Sequence, residues 1–201
     1  MEPVTLPAEL LRTVSREEIN ALPIRRYDGE VCLVAGPESL QRAMADILQE
    51  SVAGFDTETR PAFRPGESYL PCLAQVATGR AVYLFQLQHQ DFAAPVAQIL
   101  SDENTVKAGV GLRDDLRSLK KLITFEEQSV IDLGTVAKRH GLAQTGVRNL
   151  AAMFLGWRIP KGTKTSNWAA PRLSAQQITY AATDAWICRE LYLCFKKLEL
   201  M

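Results

Sequence analysis

The chain has 201 residues, 47% of them hydrophobic and 23% charged, the composition of a globular domain long enough to bury one core. Its 23 Lys and Arg balance 23 Asp and Glu, which excludes a histone-like polycation and an acidic solvating tail. No apolar run reaches the length of a membrane span, and the N-terminus lacks the basic start and apolar stretch of a secretory leader. The expected location is cytoplasmic, or nuclear in a eukaryotic cell, with no membrane partner.

In chain order, residues 1–27 are broken by Pro3, Pro7 and Pro23 and read as an arm, with a helix starting at the capping box Ser15-Arg-Glu-Glu18. Residues 28–201 read as one domain. VCLVA (31–35) is a strand. Pro37 and Glu38 open a helix whose Leu40, Met44, Ile47 and Leu48 share a face. SVAGFDTET (51–59) is a strand with polar residues at its far end. After a loop containing Pro and Gly, CLAQVAT (72–78) and AVYLFQL (81–87) form a hairpin through Thr78-Gly79-Arg80.

The rhythm then changes to alternating helices and strands. DFAAPVAQIL (91–100) reads as a helix, TVKAGVG (105–111) as a strand, and LRDDLRSLKKL (112–122) as a helix with Leu112, Leu116 and Leu119 on one side. SVID (129–132) is a short strand. LGTVAKRH and VRNLAAMFL are helices stopped by Gly141 and Gly156. A basic loop covers 157–172, and a long helix from about Ser174 to Lys197 closes the chain, opened by the capping box Ser174-Ala-Gln-Gln177. Antiparallel strands followed by alternating strands and helices predict an α/β fold with a mixed sheet and helices on both faces.

The four cysteines, Cys32, Cys72, Cys188 and Cys194, form no CxxC pair and sit in apolar stretches. They are expected to be reduced and buried, with no structural zinc site.

Four acids fall in apolar surroundings. Asp56 and Glu58 are two apart on a strand, so their side chains point to one face. Asp115 lies in the first turn of its helix, and Asp184 lies four residues after Tyr180, on the same helix face. Each also has a structural reading: Asp115 or its neighbour Asp114 complementing a helix N-terminus, Asp56 and Glu58 facing solvent, Asp184 pairing with Arg189 or a nearby Lys. Converging carboxylates repel one another and are tolerated when cations neutralise them. Ligands that are all oxygen suit Mg²⁺ or Mn²⁺.

GFDTET (54–59), VKAGVGLRDDLRSLKKL (106–122) and YAATDAWICRELY (180–192), in that order, resemble the DEDD superfamily of 3′-5′ exonucleases. SNW (166–168) is similar to the ribonuclease D and Werner-syndrome exonuclease branch. Tyr180 stands four residues before Asp184, and Thr179 stands where another branch has His, so the resemblance is to the DEDDy branch. The resemblance implies a ribonuclease H-like fold with a five-stranded mixed sheet flanked by helices. It implies two divalent cations held by Asp56, Glu58, Asp115 and Asp184, with Asp56 bridging both. Glu58 and Asp184 would hold the cation that activates water, Asp115 would help to hold the second, and Tyr180 would orient the water. The products would be nucleoside 5′-monophosphates cut from single-stranded 3′ ends of DNA or RNA. A binding module on the same fold with weak catalysis, and a non-nuclease phosphohydrolase, are the rival readings.

Charge is distributed unevenly. Residues 107–172 hold twelve Lys or Arg against five acids, a net of +7, and the rest of the chain nets −7. That asymmetry suits a polyanion-binding face. Within it, Trp157, Arg158, Lys161, Lys164, Asn167 and Trp168 are the candidate nucleic-acid contacts: cations for phosphates, aromatics for stacking on bases. The alternative for both tryptophans is core packing. Phe55 and Tyr69 are further candidates for the terminal bases, although Phe55 points away from Asp56 and so toward the core.

Overall fold

The structure is a computed structural model and describes residues 8–64, 66–162 and 166–201. Six strands form one sheet: β1 (Glu30–Val34), β2 (Val52–Thr59), β3 (Pro71–Ala77), β4 (Ala81–Gln86), β5 (Val106–Gly109) and β6 (Val130–Asp132). Their order is β1-β4-β3-β2-β5-β6. The β2/β3 and β3/β4 pairs are antiparallel and the others parallel. The sheet therefore has one strand more than the resemblance implies. At one edge β1 pairs with β4 in register from Glu30–Ala81 to Val34–Phe85.

Among the described residues eight α-helices accompany the sheet: α1 (Ala8–Leu11), α2 (Arg16–Ala21), α3 (Pro37–Ile47), α4 (Ala93–Ser101), α5 (Leu112–Leu119), α6 (Leu133–Arg139), α7 (Val147–Leu150) and α8 (Ala175–Lys197). The capping boxes expected at Ser15 and Ser174 both form. Gly141 and Gly156, the expected stops, have left-handed φ of 87° and 65°. The expected helix over 147–155 is not uniform: after Leu150 it widens into a π turn over Ala151–Leu155, a local irregularity frequent near functional sites.

The two faces of the sheet separate along β2 with period two. Ala53 and Phe55 join the core under α3, α4 and α5, with Ile47, Ile99, Leu116 and Leu119. Val52 points the other way, into the core under α6 and α8 with Leu133, Ile187 and Leu191. Leu73 and Ala77 of β3 also meet α8, at Ala181 and Ala185. At Gly54 the two backbones nearly touch: a Cβ there would lie 1.9 Å from the Ala185 carbonyl oxygen and 2.8 Å from the Arg189 nitrogen. Glycine is what lets α8 lie directly on β2 and carry Asp184 to the strand's end.

The segment before β1 docks on the helical side. The Val14 backbone exchanges hydrogen bonds with the Gln144 amide, Ile24 forms a parallel bridge with Arg158, and the Tyr27 N–H donates to the Thr183 hydroxyl. Cys188 is buried and the other three cysteines are half-buried; all four are unpaired. Among the described residues no helix is long and apolar enough to cross a membrane.

Candidate active site

The strand β2 ends in the site. Asp56 and Glu58 follow Gly54 on the α8 face, and the β2/β3 register shifts just beyond Glu58, an irregularity that stops the pairing beside the carboxylates. Asp184 comes to the same place from the middle of α8. One carboxylate oxygen from each of Asp56, Glu58 and Asp184 lies within 4.8 Å of the others.

Asp115 arrives from the opposite side. Thr57 points with Phe55 toward the α5 face, and its hydroxyl donates to Asp115 Oδ1 at 2.6 Å. Asp115 is therefore held at the margin of the cluster, close enough for its charge to act on Asp56 and Glu58. Asp114 is 87% exposed and pairs with Arg117 at 3.2 Å, so the choice between the two acids falls on Asp115. The suggested Asp184–Arg189 pair does not form: Arg189 bonds Glu50 at 3.4 Å and the Val52 carbonyl.

Electrostatics follow from this packing. Burial, then the charges of Asp184, Asp115 and Glu58, holds the Asp56 carboxyl well above the usual range. Burial, with Asp184 and Asp115, pushes Glu58 up to about 8. Burial raises Asp184 to about 6, opposed by Tyr180 and by the Arg148 cation. Asp115 is raised by burial and lowered by its Thr57 bond. The Tyr180 phenol, beside Asp184, is held above its ordinary value by burial and by that carboxylate. Carboxylates forced together against their own charge are the signature of a centre that needs added positive charge.

A cleft opens beside the cluster, lined by Glu58, Pro61, Arg148, Lys161, Trp168 and Tyr180 among others. Of the candidate nucleic-acid contacts, Lys161 lines it and is exposed. Asn167 faces the adjoining hollow, and its carboxamide oxygen accepts from the Ala169 N–H. Trp168 is 5% exposed and its ring lies 6.1 Å from that of Tyr180, so the core reading holds: it backs the tyrosine. Trp157 and Arg158 are used elsewhere. Trp157 stacks on Trp186 at 5.3 Å under the Arg25 guanidinium. Arg158 bonds Pro23, Asn20 and Arg25, tying down the N-terminal segment. Lys164 lies outside the described residues. Phe55 is fully buried, as its alternation predicts, and Tyr69 sits under the Arg60 guanidinium at 3.9 Å.

Four residues that sequence reasoning does not single out belong to this region. Thr57 holds Asp115. Gln75 stands directly across from Asp56 in the β2/β3 register, with both amide atoms buried and unpartnered among the described residues. Phe63, 74% exposed, flanks a groove with Arg60, Pro61 and Asn167. Arg148 enters the cleft from α7. The usable signal is the strand register for Thr57 and Gln75; Arg148 is one of twelve cations in the basic stretch.

A mixed sheet whose central strand delivers two acids to a third on a crossing helix defines an α/β protein with three carboxylates gathered at one point. A family model described as 3′-5′ exonuclease matches residues 32–199, and the chain belongs to that family. It is 32% identical over 200 residues to the human exonuclease mut-7 homolog, covering 85% of this chain and 23% of that protein. It is 31% identical over 172 residues to ribonuclease D of Gluconacetobacter diazotrophicus, covering 83% and 43% respectively. The chain thus spans less than half of either relative. Among solved structures, the exonuclease domain of Nibbler from Aedes aegypti superposes with a TM-score of 0.75 at 22% identity, covering 89% of this chain and 92% of that one. That likeness establishes the ribonuclease H-like exonuclease fold.

Proposed function

We propose that the chain is a metal-dependent 3′-5′ exonuclease that releases nucleoside 5′-monophosphates from single-stranded 3′ ends of nucleic acid. The observation that carries this reading is the convergence of Asp56, Glu58 and Asp184 within 4.8 Å, with Asp115 at their margin and Tyr180 on the adjoining cleft.

The donor set fits divalent cations. Every candidate ligand is a carboxylate oxygen, the preference of Mg²⁺ and Mn²⁺, and among the described residues no Lys or Arg forms an ion pair with Asp56, Glu58, Asp115 or Asp184. Asp56, Glu58 and Asp184 would hold one ion, and Asp56 with Asp115 a second. When bound, two such ions activate water and stabilise the leaving oxygen of a phosphodiester.

The chain's own groups supply the rest. Tyr180 stays protonated at neutral pH, since its environment raises an already high pKa, so it orients the attacking water and is not the base. Trp168 packs behind it and fixes the ring. Lys161 and Asn167 lie where the strand would leave the cleft. The same reading takes residues 28–201 as the exonuclease domain and 1–27 as an arm, supported by the contacts of Val14, Ile24 and Tyr27 with distant residues.

The test is hydrolysis of a labelled 3′-overhang, as DNA and as RNA, with Mn²⁺ or Mg²⁺. Asp56→Ala and Asp184→Ala should each lose nearly all mononucleotide release. Either variant degrading the substrate like wild type overturns the assignment.

A further inference from the structure

We infer that Arg148 is the phosphate-binding residue of this site, contacting the non-bridging oxygens of the phosphate that leaves on the released mononucleotide. The inference rests on the exonuclease reading and adds a substrate contact to it.

Arg148 sits in α7, whose Leu150 is fully buried in the core under α8, so the backbone that carries it is fixed. Its side chain lines the cleft together with Glu58 and Tyr180. Its charge acts on both Tyr180 and Asp184. It is therefore a cation set among the residues that surround the reacting phosphate in the proposed function.

Its hydrogen bonding is incomplete. The Nε–H is buried and finds no acceptor among the described residues. Nor does any carboxylate among them form an ion pair with the guanidinium, although Glu58 lines the same cleft. Several arginines elsewhere in the chain are paired with carboxylates: Arg42 with Glu30, Arg80 with Asp46, Arg189 with Glu50. A buried donor left unmade is costly, and a guanidinium presents a planar fork matched to a tetrahedral or planar oxyanion. Binding a divalent cation cannot satisfy it, because like charges repel. The component of the reaction that can is the phosphate, to which Nε–H and a terminal N–H can donate side by side.

The contact is to phosphate and not to base or sugar, so it should be blind to nucleobase identity. It should also be felt by the product, whose 5′-phosphate remains where the scissile phosphate was.

The experiment compares thymidine 5′-monophosphate with thymidine, by calorimetry or competition, in Ca²⁺, for wild type, Arg148→Met and Arg148→Lys. Melting temperatures check folding. Wild type should prefer the monophosphate. Arg148→Met should lose that preference by ~10- to 100-fold, as expected for a charge-assisted pair, with thymidine affinity unchanged. Arg148→Lys, a point charge without the fork, should fall between. The inference is overturned if Arg148→Met keeps the wild-type preference, if wild type shows none, or if nucleoside and nucleotide weaken equally, which marks a structural role that only balances the acids. Arg148→Met that hydrolyses a 3′-overhang like wild type also sinks the inference and leaves the exonuclease reading standing. A wild type that prefers the monophosphate, loses that preference in Arg148→Met, and yet hydrolyses nothing sinks the exonuclease reading alone.

Discussion

Raising the pH without divalent cations should destabilise this protein, and Glu58 is the residue to follow. Its carboxyl is pushed up to about 8 in the folded chain from an ordinary 4.5, chiefly by burial and then by Asp184 and Asp115. The folded state thus keeps a proton that the unfolded state releases. The associated stability is present in full below the unfolded value and is lost as pH rises through about 8. Each pH unit in that window removes up to ~1.4 kcal/mol, so going from about pH 5.5 to about pH 8 removes at most ~3 kcal/mol. Glu58 is only half-buried, and water screening lowers this to roughly 1–3 kcal/mol. Asp184, raised to about 6, adds to the lower part of the window. For a chain of this length the melting temperature should fall by roughly 3–10 °C. The assay is thermal melting in EDTA at the two pH values, for wild type and Glu58→Gln. The glutamine has no proton to release, so its decline should be clearly smaller. Adding Mn²⁺ should restore wild-type stability, more so at the higher pH, where protons no longer compete for the carboxylates. Wild type melting at the same temperature at both pH values, or wild type and Glu58→Gln falling in parallel, would refute the reasoning.

Gly54→Ala should cost ~3 kcal/mol or more, because its Cβ would stand 1.9 Å from the Ala185 carbonyl oxygen and α8 must lift from β2; a denaturant midpoint near wild type would contradict this. Thr57→Val keeps the shape but removes the O–H that donates to Asp115. It should raise the Mn²⁺ concentration needed for half-maximal hydrolysis several-fold while shifting the melting temperature little, and an unchanged Mn²⁺ titration would remove Thr57 from the positioning of Asp115.

What could be read in the sequence was local. Alternation in GFDTET placed Phe55 in the core and Asp56 with Glu58 on the other face, and the structure has both. All six strands are legible as short apolar runs between turns; the count of five is what the resemblance implies. The choice between Asp114 and Asp115 was also available: Asp115 shares the helix face of Leu112, Leu116 and Leu119, and Asp114 does not. Long-range pairing was not available. Trp157 and Arg158 have the residue types of a nucleic-acid loop, yet Trp157 stacks on Trp186, and both residues also meet a segment more than 100 residues earlier, at Pro23, Ile24 and Arg25. Only the fold brings that segment onto them. Gln75 opposite Asp56 likewise depends on the strand register, which the hairpin suggests but does not number.

The distribution of charge takes on a narrower meaning in three dimensions. The +7 stretch is not one binding face. Lys107 is fully buried, its ammonium bonded to the Asp102 carbonyl. Arg158 serves the N-terminal segment, Lys120 pairs with Glu127, and Arg117 pairs with Asp114. At the site itself the balance is reversed: four acids lie close enough to act on one another, beside a cleft lined by Glu58 into which Arg148 and Lys161 bring two cations. A phosphate approaching those carboxylates is repelled unless their charge is offset. In the proposed exonuclease the order of binding would follow from that local deficit: cations on Asp56, Glu58, Asp115 and Asp184 first, then the polymer. Under the same proposal Arg148 would be the fixed positive charge that remains to orient the phosphate once the acids are neutralised.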